Sequence, residues 1–292
     1  MLKKILYFVA GAAILFNSAI FAEIIETSEI ATVQNYVTED SLVLMNITGT
    51  LYAPGTALAD NQWRMFFEKR VKELVKDEAV AERMINTIKN EIVKKLPKKP
   101  VEETTAQFVA QLQSRKIPVL GITRKQMKTA YANNFDVITS KHLLSVGIDL
   151  GKTLSYLTVQ GNDDENQALA HGIIFTNKKM LGPSLLAFLN RLETKPAKII
   201  LVDDAEKNLK SAEEALQGHE IVFEGFRYSR SDKQNADFDP VLGTIEFFAF
   251  IADGSTMTDE EASQLKERTA NIDYTALLDQ YIILEAYYGY RS

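Results

Sequence analysis

Apolar and polar positions follow two periods along this chain, and the switches between them predict its elements. Residues 41–45 (SLVLM) form a compact apolar run that stops at the turn-forming stretch 46–50, the pattern of a buried strand entering a loop. Trp63, Phe66, Phe67, Val71, Leu74 and Val75 recur at helical spacing, and Val80, Met84, Ile85, Ile88, Ile92, Val93 and Leu96 carry the stripe to Pro97. Residues 61–96 therefore read as two amphipathic helices. Another helix is expected from Thr104 or Thr105, with Phe108, Val109 and Leu112 on one face, followed by a second buried strand over 117–122 that ends at Thr123. Segments 154–160 and 171–176 flank the polar stretch 161–167 and read as a hairpin. Pro183 opens a helix carrying Leu185, Leu186, Phe188, Leu189 and Leu192. A third buried strand, 198–202 (KIILV), is closed by Asp203 and Asp204 and leads into a helix over 205–216 and a fourth strand over 219–226. Thr258 and Glu261 have the spacing of a capping box and start one more helix.

Buried strands alternating with helices predict an α/β fold with a mainly parallel sheet flanked by helices, and a ligand crevice beyond the carboxyl ends of the strands. Composition agrees with a folded domain: of 292 residues 46% are apolar, 25% charged and 9% aromatic. The net charge of −6 repels a nucleic-acid backbone, so no nucleic-acid partner is expected. The chain has no cysteine, which removes disulfides, thiol catalysis and Cys-ligated metals, and its three histidines are scattered. Lys3 and Lys4, the apolar stretch 5–16 and the small residues before Glu23 have the layout of a secretory signal over residues 1–22. The mature protein is accordingly expected to be periplasmic or secreted and not to span a membrane. Lys94, Lys95, Lys98 and Lys99 form a basic run that reads either as a solvated helix end or as an anion-binding rim.

Three strand ends carry polar residues suited to phosphate chemistry: Asn46 to Thr50, Thr123, and Asp203 with Asp204. Segments LVLMNITGTL (42–51), VLGIT (119–123) and IILVDD (199–204) resemble, in order and spacing, the haloacid dehalogenase (HAD) superfamily. GIIFT (172–176), EGFRYS (224–229) and TDEEA (258–262) resemble a bacterial HAD-like family, the domain of unknown function 2608. The resemblance covers roughly residues 40–270 and implies a Rossmannoid core over 23–56 and 106–292, with a helical cap inserted over 57–105.

In an active member of that superfamily, one Asp attacks phosphorus and a second, two residues on, acts as acid and base. This chain has Asn46 and Thr48 there, and an amide forms no acyl-phosphate. The resemblance further implies Thr50 and Thr123 as phosphate-binding groups. It places Asp203 and Asp204 as ligands for a Mg²⁺ weakened by the missing charge at position 46; the same two acids could instead cap the helix that follows. The phosphate-binding Lys would stand where this chain has Leu181, with Lys178 and Lys179 three and two residues upstream. The expectation is thus an exported, HAD-like protein that has lost phosphatase activity and binds a phosphorylated small molecule or a protein partner at the cap. The alternative is a Mg-dependent phosphohydrolase that uses a metal-bound water at Asp203 and Asp204.

Overall fold

The computed structural model describes residues 24–128, 134–161, 167–232 and 238–289. The signal-like segment 1–22 lies outside the described residues. In chain order the elements are β1 (Ile24–Thr27), α1 (Ile30–Gln34), β2 (Ser41–Asn46), β3 (Tyr52–Pro54), α2 (Asn61–Leu74), α3 (Glu78–Lys95), β4 (Lys98–Pro100) and α4 (Thr105–Ser114). They continue with β5 (Val119–Thr123), α5 (Phe135–Ser145), β6 (Ala168–Ala170), β7 (Ile173–Phe175), α6 (Leu181–Leu189), β8 (Lys198–Asp203), α7 (Glu206–Leu216) and β9 (Val222–Tyr228). Three helices close the described chain: α8 (Pro240–Asp253), α9 (Asp259–Arg268) and α10 (Tyr274–Leu284).

Seven strands make one sheet in the order β1-β9-β8-β2-β5-β7-β6, and every pairing is parallel except that of β6 on β7. Side chains of β2 alternate between the two faces: Val43 and Met45 join the cluster built by α1, α4 and α5, whereas Leu42 and Leu44 join that of α6 and α7. Helices cover both faces, which is why the strand sequences are apolar throughout instead of alternating. Each aliphatic side chain removed from water here contributes about 1.5–3 kcal/mol. Gly182 sits where α6 meets α7, and a Cβ there would run into the Ser211 carbonyl.

A third apolar cluster lies apart from the sheet. It joins Trp63, Phe67 and Val71 of α2 with Met84, Ile85, Ile88 and Ile92 of α3, Phe247 and Phe250 of α8, and Leu278 and Ile282 of α10. Trp63 stacks on Phe67 with ring centroids 5.2 Å apart, and its indole nitrogen donates to Thr244 Oγ1 at 3.2 Å. Arg70 of α2 forks onto both carboxylate oxygens of Asp279 on α10. At the start of this layer the amides of Leu58 and Ala57 donate to Glu246 Oε2 (2.6 Å) and Asp259 Oδ1 (2.7 Å). The short antiparallel ribbon β3–β4 enters and leaves the α2–α3 pair. The helices therefore roof the carboxyl end of the sheet.

Several expectations need correction. The hairpin has different arms: β6 and β7 pair around His171 and Gly172, both with positive φ (53° and 75°), the backbone of a type I′ turn. Residues 150–155 instead form a 3₁₀ turn, because Asp149 accepts from the Gly151 amide at 3.1 Å and starts it. Val159 keeps one isolated bridge, to Leu192, and 162–166 lie outside the described residues. The fourth strand begins at Val222, not 219, and runs on to Tyr228 because β1 supplies a parallel partner up to that residue.

Candidate functional site

The chain passes from β2 outward to β5 and β7 on one side of the sheet and later to β8 and β9 on the other, so β2 and β8 flank the switch point where open α/β sheets leave a crevice. Their parallel register, with Met45 opposite Val202, brings Asn46 beside Asp203 and Asp204. Asn46 Nδ2 donates to the Thr48 carbonyl at 3.0 Å and to Asp204 Oδ1 at 2.6 Å. A carboxylate only accepts, so the amide must turn its nitrogen toward it. The loop reaches this shape through Gly49, whose φ is 88°; a Cβ there would stand 2.6 Å from Asp204 Oδ2.

Asp203 has no solvent exposure. Its Oδ1 accepts from the Ala205 amide at 2.8 Å, and Asn208 Nδ2 reaches both oxygens at 3.1 and 2.9 Å. Asp203 thus fastens the first turn of α7. Burial pushes its pKa up to about 7, and burial likewise raises that of Asp204 against the donation from Asn46. These residues do not fit a Mg²⁺ ion as they stand. Both Asp203 oxygens are engaged, and Asn46 Nδ2 already fills the point between the Thr48 carbonyl and Asp204 Oδ1. Among the described residues there is no group of three or more His, Asp or Glu side chains able to hold a metal.

Between this strand end and the roof lies a cavity of about 490 Å³. Thr48, Gly49 and Asp204 form its floor; Tyr52, Phe135 and His142 line one side, and Arg64, Lys89, Lys98 and Lys125 bring positive charge. Four cationic side chains against Asp60 and Asp204 make the cavity basic inside an acidic protein. Lys125 Nζ donates to Thr48 Oγ1 at 3.1 Å and sits 5.3 Å from the Phe135 ring centroid. Burial, with Lys98 and Arg64 nearby, lowers the Lys125 pKa to about 7; burial lowers Lys98 to about 8, opposed by Asp60. The His142 ring packs edge-on to Tyr52 at 5.8 Å, and burial plus the two lysines keeps it neutral with a pKa of about 4.

Of the residues expected from the strand ends, Thr48 and Asp204 reach the cavity wall. Asn46 stands behind them. Thr123 is buried beside them with its hydroxyl 3.4 Å from the Lys125 amide, and Thr50 is fully buried with a hydroxyl unpartnered among the described residues. Lys178 and Lys179 are not in the wall; the β7–α6 turn, with Lys178 at φ 68°, leaves Lys178 exposed. Sequence reasoning missed Lys125, two residues past a buried strand end, and Arg64, Tyr52 and His142. The basic run divides: Lys98 enters the cavity, while Lys94 and Lys95 are exposed and Lys95 pairs with Glu91 at 2.7 Å.

Residues 26–263 match the family profile described as "Protein of unknown function (DUF2608)". The chain belongs to this family. A DUF2608 profile running from within β1 to the first turn of α9 covers the other six strands of the sheet and every residue of the cavity wall. The chain is also similar to the "Uncharacterized protein RP296" of Rickettsia prowazekii (strain Madrid E), 23% identical over 255 residues, which cover 84% of this chain and 92% of that relative. No solved structure matches it. Among the described residues of this DUF2608 member, no helix is long and apolar enough to cross a membrane.

Proposed function

We propose that this chain is an exported, HAD-like protein that binds a phosphorylated small molecule between its sheet and its helical roof, acting as a cap, and has lost phosphatase chemistry. The observation that carries this reading is the double donation of Asn46 Nδ2 to the Thr48 carbonyl and Asp204 Oδ1. An amide there is no nucleophile toward phosphorus, and Thr48 offers no group that titrates near neutrality. A basic cavity lined by Lys98, Arg64 and Lys125 supports retention of an anionic ligand. Export rests on the signal-like sequence of residues 1–22.

Calorimetric titration with inorganic phosphate and assay with an aryl phosphate, each with and without Mg²⁺, test the reading. Binding without turnover is expected. Turnover that survives Asn46→Ala and is lost in Asp203→Ala would establish a metal-bound water at Asp203 and Asp204 and overturn it. Intact mass of the protein recovered from its producing cells checks the start at Glu23.

A further inference from the structure

One amine in the cavity wall differs from the other cations around it. Arg64 has Glu68 at 3.6 Å, Lys89 has Glu68 at 2.5 Å, and Lys98 is opposed by Asp60. Lys125 has no carboxylate within ion-pair distance among the described residues. Its partners are a hydroxyl, Thr48 Oγ1, and the face of Phe135. Asp204 lines the same cavity, but its Oδ1 already accepts from Asn46. Desolvation and the neighbouring cations Lys98 and Arg64 both disfavour the charged ammonium, the environment that turns a lysine into an amine nucleophile. With a pKa near 7, a large share of Lys125 carries a free lone pair at neutral pH.

We propose that Lys125 forms a reversible imine with a phosphorylated aldehyde or ketone, whose phosphate lies against Lys98 and Arg64. The inference rests on the proposed ligand cavity and names the class of compound it holds. The lone pair of Nζ adds to the carbonyl carbon while the carbonyl oxygen takes a proton. Nitrogen then loses a proton, the new hydroxyl takes one and leaves as water, and the C=N bond forms. No electron is gained or lost, and hydrolysis restores both partners. Thr48 Oγ1, 3.1 Å from Nζ, is placed to pass the first proton. The proton for the departing hydroxyl is drawn from solvent, since His142 is neutral and has no proton to spare.

Pyridoxal 5′-phosphate serves as the probe, since it combines an aldehyde with a phosphate. The full chain is incubated with it across pH 6–9, reduced with cyanoborohydride, digested and mapped by mass spectrometry. Labelling of Lys125 should run at least about tenfold faster than at any exposed lysine, in keeping with a larger neutral fraction of a desolvated amine. Its rate should rise through about pH 7, and inorganic phosphate should slow it. Lys125→Arg should lose the label with an unchanged circular dichroism spectrum, whereas Lys99→Arg, outside the cavity wall, should keep it. Label spread evenly over surface lysines, or absent from Lys125, overturns the proposal. Equal labelling by pyridoxal without its phosphate overturns the phosphorylated class. If inorganic phosphate binds in calorimetry and Lys125 stays unlabelled, the imine alone fails; if neither occurs, the ligand cavity itself fails with it.

Discussion

Asn46 Nδ2 donates to Asp204 Oδ1 at 2.6 Å, joining positions 158 residues apart at the carboxyl ends of the two central strands. The same nitrogen reaches the Thr48 carbonyl, so a single amide satisfies two acceptors that would otherwise face each other. The bond settles how the strand-end loop is held: by a neutral donor in place of a cation.

Asn46→Asp removes that donor and sets two carboxylates within hydrogen-bond reach of each other. One of them must take up a proton or recruit a cation. Metal-free stability near pH 7.5 should fall by on the order of 1–3 kcal/mol, and millimolar Mg²⁺ should restore part of it. Thermal melts with and without Mg²⁺ check this, and identical midpoints for variant and parent would show that the bond contributes nothing.

Adding Thr48→Asp to Asn46→Asp tests the HAD-like reading directly. Groups that act as a unit regain function only together, so each single variant should stay inactive and the pair should hydrolyse an aryl phosphate detectably. Adding Leu181→Lys should raise turnover further if residue 181 occupies the phosphate-binding position. An inactive double variant that also binds no Mg²⁺ would mean that the strand-end alignment is wrong.

Glu246 supplies a pH signature. It is 1% exposed, and burial with Asp259 beside it pushes its pKa up to about 8 from an ordinary 4.5. A raised acid pKa means that the folded state holds the proton more tightly, so its stabilisation is complete below about pH 4.5 and is lost as pH rises toward 8. Glu246→Gln still accepts from the Leu58 amide and does not ionise. Its melting temperature should exceed that of the parent by a widening margin from pH 5 to pH 8; a constant margin would refute the assignment.

Trp63→Ala should cost about 3–5 kcal/mol, the range for deleting a buried aromatic. Its ring is fully buried against Phe67 and Phe247, and its indole bond to Thr244 is lost as well. Chemical denaturation reads the loss, and a cost below 1 kcal/mol would show that the roof is loosely packed.

The core strands were legible because helices cover both faces of β2, β5 and β8, leaving unbroken apolar runs bounded by turn residues. Strand ends likewise pointed to Thr48 and Asp204, which line the cavity. Helix α8 was missed because Phe247, Phe248, Phe250 and Ile251 put apolar groups on several faces, and no single stripe marks it. Lys125 and Lys98 were harder still. Periodicity reports which residues are buried, whereas the meeting of a loop after β5 with a ribbon strand 27 positions earlier depends on how the roof closes.

All seven strands of the main sheet lie within residues 24–228, yet the roof draws Phe247, Phe250, Leu278 and Ile282 of its apolar cluster from α8 and α10, beyond residue 238. Synthesis runs from the N-terminus, so the sheet can assemble while α2 and α3 still wait for partners. Trp63, Phe67 and Val71 then stay uncovered until Phe247, Leu278 and Ile282 arrive. A chain stopped after β9 would keep its strand-end loop and the α2–α3 wall of the cavity, and would lose the apolar backing of that wall. Helices α8 and α10 therefore brace the helix pair that walls the cavity without lining it themselves.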